Sequence, residues 1–203
     1  LSDRIGKERV VWRYDPIILN EKFGFEYHKE QFARLCGRLA GHTDQCVISF
    51  VDKYPKLRTD AIREISMDEM AGLGSMISSV AGDFGITVKA CCEGAFLREL
   101  GIEKAHCIDK ALIERVCGYS IDIKKDRNQR DSCGCCESTD IGAYDTCRNG
   151  CIYCYANYSD VSVAGNIKRH DPCGELLVGR TGENDKITLR EQKSNKDGQL
   201  KIL

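Results

Sequence analysis

Short β-type runs recur at helix-length intervals through the first half of the chain, and this alternation constrains the fold more than any other feature. "RVVWRYDPII" (9–18), "QCVISFVD" (45–52) and "ITVKACCEG" (86–94) are rich in β-branched, aromatic and other apolar residues. Between the first two, "YHKEQFARLCGRLAGH" (27–42) carries Phe32, Leu35 and Leu39 at helical spacing and ends at Gly41. Between the second and third, "SMDEM" introduces a helix over 68–83, with Ser66 as N-cap and Glu69 three residues on, the pattern of a capping box. Strands joined by connections of this length run parallel, because parallel neighbours need a crossover and antiparallel ones only a short turn. The pattern predicts an α/β fold on a parallel sheet, followed by a helix over "CIDKALIERVCG" (107–118).

The C-terminal ends of these strands are polar: Arg13 and Asp15, then Ser49 and Asp52, then Lys89, Cys92 and Glu93. Parallel α/β folds bind ligands at that edge. Arg13, Asp15, Asp52 and Glu93 are therefore the candidate catalytic residues, against the plainer reading that they start loops and cap helices. The βα region spans 1–118, a polar and cysteine-rich module 119–175, and a charged, partly extended tail 176–203.

The 30 basic and 31 acidic residues nearly cancel, so the chain as a whole sets up no field for nucleic acid or a membrane surface. "KKDRNQR" gathers Lys124, Lys125, Arg127 and Arg130, a solvated loop by default and a weak phosphate or nucleic-acid contact otherwise. No apolar run approaches the roughly 20 residues that span a bilayer, and no leader pattern opens the sequence. The expectation is a soluble, cytoplasmic protein without membrane partners. Dinucleotide and phosphate-loop glycine patterns are absent, as is a Ser-His-Asp or Cys-His signature. His28, His42 and His106 lie among helix-type residues and read as structural or exposed.

Thirteen cysteines are an odd number in a chain with no secretory signature, which disfavours a disulfide scaffold. Cys36, Cys46 and Cys117 sit in apolar stretches and read as small buried hydrophobes. "TCRNGCIYCYAN" (146–157) is different, setting Cys147, Cys151 and Cys154 at C-x3-C-x2-C with Tyr153 before the last. At this cysteine content chance yields about 0.05 such triplets per chain, so coincidence is a weak competitor. Three thiolates on a short loop can each bind one iron of a 4Fe-4S cube and leave the fourth open to a small molecule. Structural zinc is the rival, with His170 or Cys173 of "RHDPCGE" as the fourth ligand. "ACCEG" and "SCGCC" add Cys91, Cys92, Cys133, Cys135 and Cys136. Cys92 and Cys107 with Cys133 and Cys135 form a candidate second site for a cluster or zinc, against free reduced thiols; spacing does not choose between Cys135 and Cys136.

"DIGAYDTCRNGCIYCYAN" resembles the cluster loop of the radical S-adenosylmethionine enzymes related to spore photoproduct lyase, which likewise carry a tyrosine before and after the last cysteine. The resemblance implies a 4Fe-4S cluster on Cys147, Cys151 and Cys154, with S-adenosylmethionine chelated at the open iron and Tyr153 near its adenine. It also implies reductive cleavage to a 5'-deoxyadenosyl radical, an electron donor such as a flavodoxin or ferredoxin, and a small-molecule or macromolecular substrate. Such enzymes carry the motif near the N-terminus, whereas here the βα units precede it. That order, with "ERVVWRYDPIILNEKF", "CVISFVDKY", "CIDKALIERV" and "KKDRNQRDSCGC", resembles a family of uncharacterised bacterial proteins whose members begin with a further segment. The resemblance implies part of a circularly permuted (β/α) barrel, with "STDIGAY" as a strand delivering the cluster to the edge of Asp15, Asp52 and Glu93, and an N-terminal part outside this chain. The expected function is an iron-sulfur radical enzyme; the alternative is a non-catalytic zinc- or iron-sulfur-binding structural or interaction protein.

Overall fold

The computed structural model describes residues 1–54, 57, 59, 62–191 and 193–198. The chain divides into two compact units, one formed by Leu1–Lys53, Asp60–Ser138 and Asn195–Leu203, the other by Tyr54–Thr59 and Thr139–Ser194.

The first unit is α/β. A short helix α1 (Ser2–Ile5) and a 3-10 turn lead into β1 (Trp12–Ile17), α2 (Phe25–Leu39), β2 (Gln45–Phe50), α3 (Met67–Asp83) and β3 (Thr87–Ala90). A 3-10 helix over Ala95–Leu100 then gives β4 (Glu103–Lys104), and α4 (Lys110–Cys117) follows. The strands form one parallel sheet in the order β1-β2-β3-β4, with Tyr14 opposite Ile48 and Val47 opposite Lys89. Parallel neighbours joined by right-handed crossovers place their helices on the same face, and α2 and α3 pack on one another there. The register shifts between Tyr14 and Ile17, where Pro16 has no N–H to donate.

Alternation along β1 decides which side chains enter the core. Trp12 stacks on Phe32 of α2 with centroids 4.9 Å apart, and Tyr14 meets the same ring edge-on at 5.0 Å. The buried stripe of α2 is His28, Phe32 and Cys36, one step round the helix from the expected Phe32, Leu35 and Leu39. His28 is held from both sides: its Nε2 donates to the Ile18 carbonyl at 2.9 Å, and its Nδ1 accepts from the Tyr14 hydroxyl at 2.7 Å. Both its nitrogens are thereby committed, and the structural reading of His28 holds. Gly74 of α3 lets the helix close on its neighbours, since a Cβ there would lie 3.1 Å from Leu97 and 3.2 Å from Ile102.

The structure departs from expectation in several places. The sheet has four strands and is open, so a barrel is not formed by these residues. β4 was not anticipated, because two residues carry no periodicity and the connection to them is a 3-10 turn in place of a long helix. "STDIGAY" is irregular and not a strand; its polar and glycine content offers no apolar alternation to bury. Cys117 ends α4 exposed, although Cys36 and Cys46 are fully buried as expected. His106 lies in the loop after β4 and not in a helix. In the second unit α5 (Asp160–Arg169), capped by Ser159, was also missed. Asn195 and Asp197 of the tail pair with 120–122 through backbone hydrogen bonds, and residues 192 and 199–203 lie outside the described residues. Among the described residues no helix is long and apolar enough to cross a membrane.

The capping box of α3 is present in full, with Ser66 accepting from the Glu69 amide and Glu69 from the Ser66 amide. Arg63 also donates to both Glu69 oxygens, at 2.7 and 3.0 Å. The Arg63 bonds and then the Ser66 amide hold the Glu69 carboxyl down at about 2. Ser66→Ala should cost about 1 kcal/mol in urea unfolding. The Glu69 contribution is present above its unfolded value of 4.5 and lost as pH falls towards about 2. Glu69→Gln should therefore flatten the acid limb of the stability profile in that window.

Candidate functional site

With Trp12 and Tyr14 turned to α2, Arg13 and Asp15 project from the other face of β1. Arg13 Nε lies 3.2 and 3.1 Å from the two Asp15 oxygens, and its Nη2 also donates to Asp15 Oδ2. Its Nη1 donates to Cys107 Sγ at 3.2 Å. Ser49 of β2 donates to Asp15 at 3.4 Å, so the ends of β1 and β2 share one carboxylate. Past β3, Glu93 Oε1 accepts the Phe50 amide at 2.7 Å, taking up a backbone donor where the strand ends. Asp52 pairs with Arg130 at 2.5 Å. Burial first, and then the nearby Asp52 charge, pushes the Glu93 carboxyl above its usual range against the Phe50 hydrogen bond. The strand ends therefore hold two groups, Arg13–Asp15–Ser49 and Asp52–Arg130–Glu93, able to bind and orient a polar ligand.

Cysteines lie between them. Cys91 packs with Val47 and Ala105, and Val11 and Cys92 rest against that cluster. Cys91 Sγ is 3.4 Å from Cys107 Sγ and 3.9 Å from Cys92 Sγ. Burial, then the Cys107 thiol, pushes the Cys91 thiol up. The segment 133–136 is drawn onto this group: Cys135 Sγ accepts the amides of Cys107 and Ile108 at 3.1 and 3.4 Å, and the Cys136 amide donates to the Ile108 carbonyl at 3.1 Å. Lys125 and Arg130 of the basic run have partners in this unit, the Asp131 carbonyl and Asp52.

In the second unit the loop of Cys147, Cys151 and Cys154 is closed at its neck. Asp145, at φ +57°, donates its amide to the Ala156 carbonyl at 2.9 Å, while its carboxylate accepts the amides of Tyr158 and Ser159. Asn166 of α5 donates to the Asp145 carbonyl at 3.0 Å, and Asn157 to that of Cys147 at 2.7 Å. The Cys154 amide donates back to the Cys151 carbonyl at 3.1 Å. Tyr153 packs on Tyr54 with centroids 5.3 Å apart, and the buried Tyr54 hydroxyl has no hydrogen-bond partner among the described residues. A cavity of about 470 Å³ opens beside Cys147, with Arg148, Asp160 and Lys168 on its wall. His170 Nδ1 donates to the Leu177 carbonyl at 2.9 Å, and Cys173 is exposed.

All thirteen cysteines are free thiols. Among the described residues no three Cys, His, Asp or Glu side chains already surround a single metal-sized point. The structure brings Cys107 against Arg13, Cys133 and Cys135 into one short segment, and Cys92 beside Cys91. Asp145 was missed, although "AYDTC" placed an acidic residue two positions before the first loop cysteine. Ser49 as the partner of Asp15 and Cys91 as the centre of the thiol group had only their place at strand ends to mark them.

The family model described as "Domain of unknown function (DUF1848)" matches residues 1–156. No curated protein and no solved structure matches the chain.

Because the folded state holds Glu93 above its ordinary value of 4.5, its favourable contribution is full below that pH and is lost as pH rises through the folded value. Glu93→Gln keeps an oxygen for the Phe50 amide and removes the titration. Urea unfolding from pH 4.5 to neutral should show the variant gaining stability relative to the parent chain as pH rises; parallel profiles would refute this.

Proposed function

The chain belongs to the DUF1848 family, and from its cysteine loop we propose that it is an iron-sulfur enzyme of the radical S-adenosylmethionine type. One observation carries the reading: three free thiols at C-x3-C-x2-C on a single loop whose neck is closed by Asp145. Three thiols on one short loop suit a 4Fe-4S cluster, in which each would bind one iron and leave the fourth open to a small molecule. Cys147, Cys151 and Cys154 would hold it, and when bound with S-adenosylmethionine it supplies reductive cleavage of the sulfonium to a 5'-deoxyadenosyl radical.

The chain's own residues would do the rest. A cavity of about 470 Å³ lies in the size range of small-molecule sites. On its wall Arg148 and Lys168 offer positive charge to an anionic group of the cofactor. Tyr153, packed on Tyr54, offers a ring face for an adenine, and the unpartnered Tyr54 hydroxyl an unused polar contact beside it. Arg13, Asp15, Asp52 and Glu93 are the polar groups that the first unit would offer a substrate, and a ferredoxin or flavodoxin in the cytoplasm would deliver the electron. The parallel strand order, with α2 and α3 on one face, matches consecutive units of a barrel, here permuted so that the cluster loop follows them.

Anaerobically purified protein should contain about four irons and four sulfides per chain at this loop and convert S-adenosylmethionine to 5'-deoxyadenosine and methionine when reduced. Cys151→Ala should lose the iron and abolish cleavage. Asp145→Ala, which opens the loop neck and leaves every thiol in place, should retain less iron through desalting. Zinc at the loop with no iron would overturn the proposal in favour of a non-catalytic zinc-binding protein.

A further inference from the structure

We propose that the thiol group of the first unit is a mononuclear site for a soft divalent cation such as zinc, with Cys91, Cys92, Cys107 and Cys135 as ligands. The proposal is independent of the loop at 147–154.

Sulfur spacing is the first support. Cys91 Sγ stands 3.4 Å from Cys107 Sγ and 3.9 Å from Cys92 Sγ. A tetrahedral zinc with bonds of about 2.3 Å has sulfur–sulfur edges of about 3.8 Å. Sulfurs bound to separate irons of a cube stand further apart than this, so the spacing favours one ion over a cluster. Among the described residues the sulfurs do not enclose a point, and the exposed Cys107 and half-buried Cys92 are the side chains that would turn to do so.

The hydrogen bonds point the same way. Cys135 Sγ receives two backbone amides, and Cys133 Sγ receives the Cys135 amide at 3.5 Å. A neutral thiol is a weak acceptor, whereas amide bonds to ligand sulfur are the outer contacts that orient a metal-bound thiolate. Cys135 is the residue of 133–136 whose sulfur contacts the Cys107 backbone, so it supplies the ligand from that segment in place of Cys133, and Cys91 enters the set through its contacts with Cys92 and Cys107.

Charge is complementary. Four thiols that give up their protons to solvent around a dication leave a net charge of −2. Arg13 Nη1 donates to Cys107 Sγ at 3.2 Å. One guanidinium thereby reaches a proposed ligand sulfur directly.

The backbone around it is tightly clamped. His106 Nδ1 donates to the Gly134 carbonyl at 2.5 Å, and a Cβ at position 134 would lie 2.1 Å from the His106 ring. A side chain at 134 would displace the His106 ring, one residue before Cys135 meets the Cys107 amide. An ion here would staple residues 119–138, which contain no helix and no strand, to the ends of β3 and β4.

The test uses the full chain carrying Cys147→Ser, Cys151→Ser and Cys154→Ser, so that failure of the iron-sulfur reading cannot affect it. Titrated anaerobically with Co²⁺, this protein should bind one equivalent, show thiolate-to-cobalt charge transfer with tetrahedral d–d bands, and release the cobalt to zinc. Adding Cys107→Ser should weaken binding at least about tenfold, whereas adding Cys117→Ser, an exposed thiol at the end of α4, should change nothing. In the unsubstituted chain, zinc should protect Cys107 from alkylation and leave Cys117 reactive, as mapped by mass spectrometry. Absence of the charge-transfer band, cobalt binding indifferent to Cys107→Ser, or no protection of Cys107 would each overturn the proposal.

Discussion

Trp12 and Tyr14 pack onto Phe32 and His28, and the facing of β1 hangs on that contact. A strand shows alternate residues to opposite faces, so burying this aromatic pair obliges Arg13 and Asp15 to project the other way. Slipping the strand by one residue would exchange the two sets and put a guanidinium under α2. Everything on the polar face follows from the register: the carboxylate shared with Ser49, the contact of Arg13 with Cys107, and the alignment of the β1 and β2 ends. The His28 ring fixes the same register from below by bonding both Tyr14 and the Ile18 carbonyl.

The thiols divide by environment. Cys36 and Cys46 are enclosed by apolar neighbours, and burial pushes the Cys36 thiol up to about 11, which keeps it protonated and chemically quiet. The thiols at strand ends and in loops instead have polar neighbours: Cys135 meets two backbone amides and Cys107 the Arg13 guanidinium. Position relative to the sheet therefore separates enclosed thiols from those open to polar contacts more sharply than local sequence does.

The long repeating features were legible in the sequence. The three longer strands, α2, α3 and its capping box each carry a local signal that tertiary packing reinforces. What escaped reading has a common physical cause: β4, α5, the His106–Gly134 contact and the Asp145 neck depend on contacts between residues with no periodicity of their own. The strand-end polar residues were legible as a set, but their pairing was not. Arg130 reaching Asp52 across 78 positions leaves no local trace. The cysteine motif was legible as a motif, and its neck was not, because a single aspartate has many other uses.

The two ends of the sheet differ in what they offer another chain. β4, at one end, exposes only two residues of edge, too short a template for a foreign strand. β1, at the other, runs for six, with Pro16 removing one donor near its C-terminal end. Strand addition, and with it any self-association through backbone pairing, is thereby directed to β1 and to its N-terminal portion. A strand added there would lie beside the one that orients Arg13 and Asp15, so backbone pairing at this edge and the placement of the polar groups share one strand.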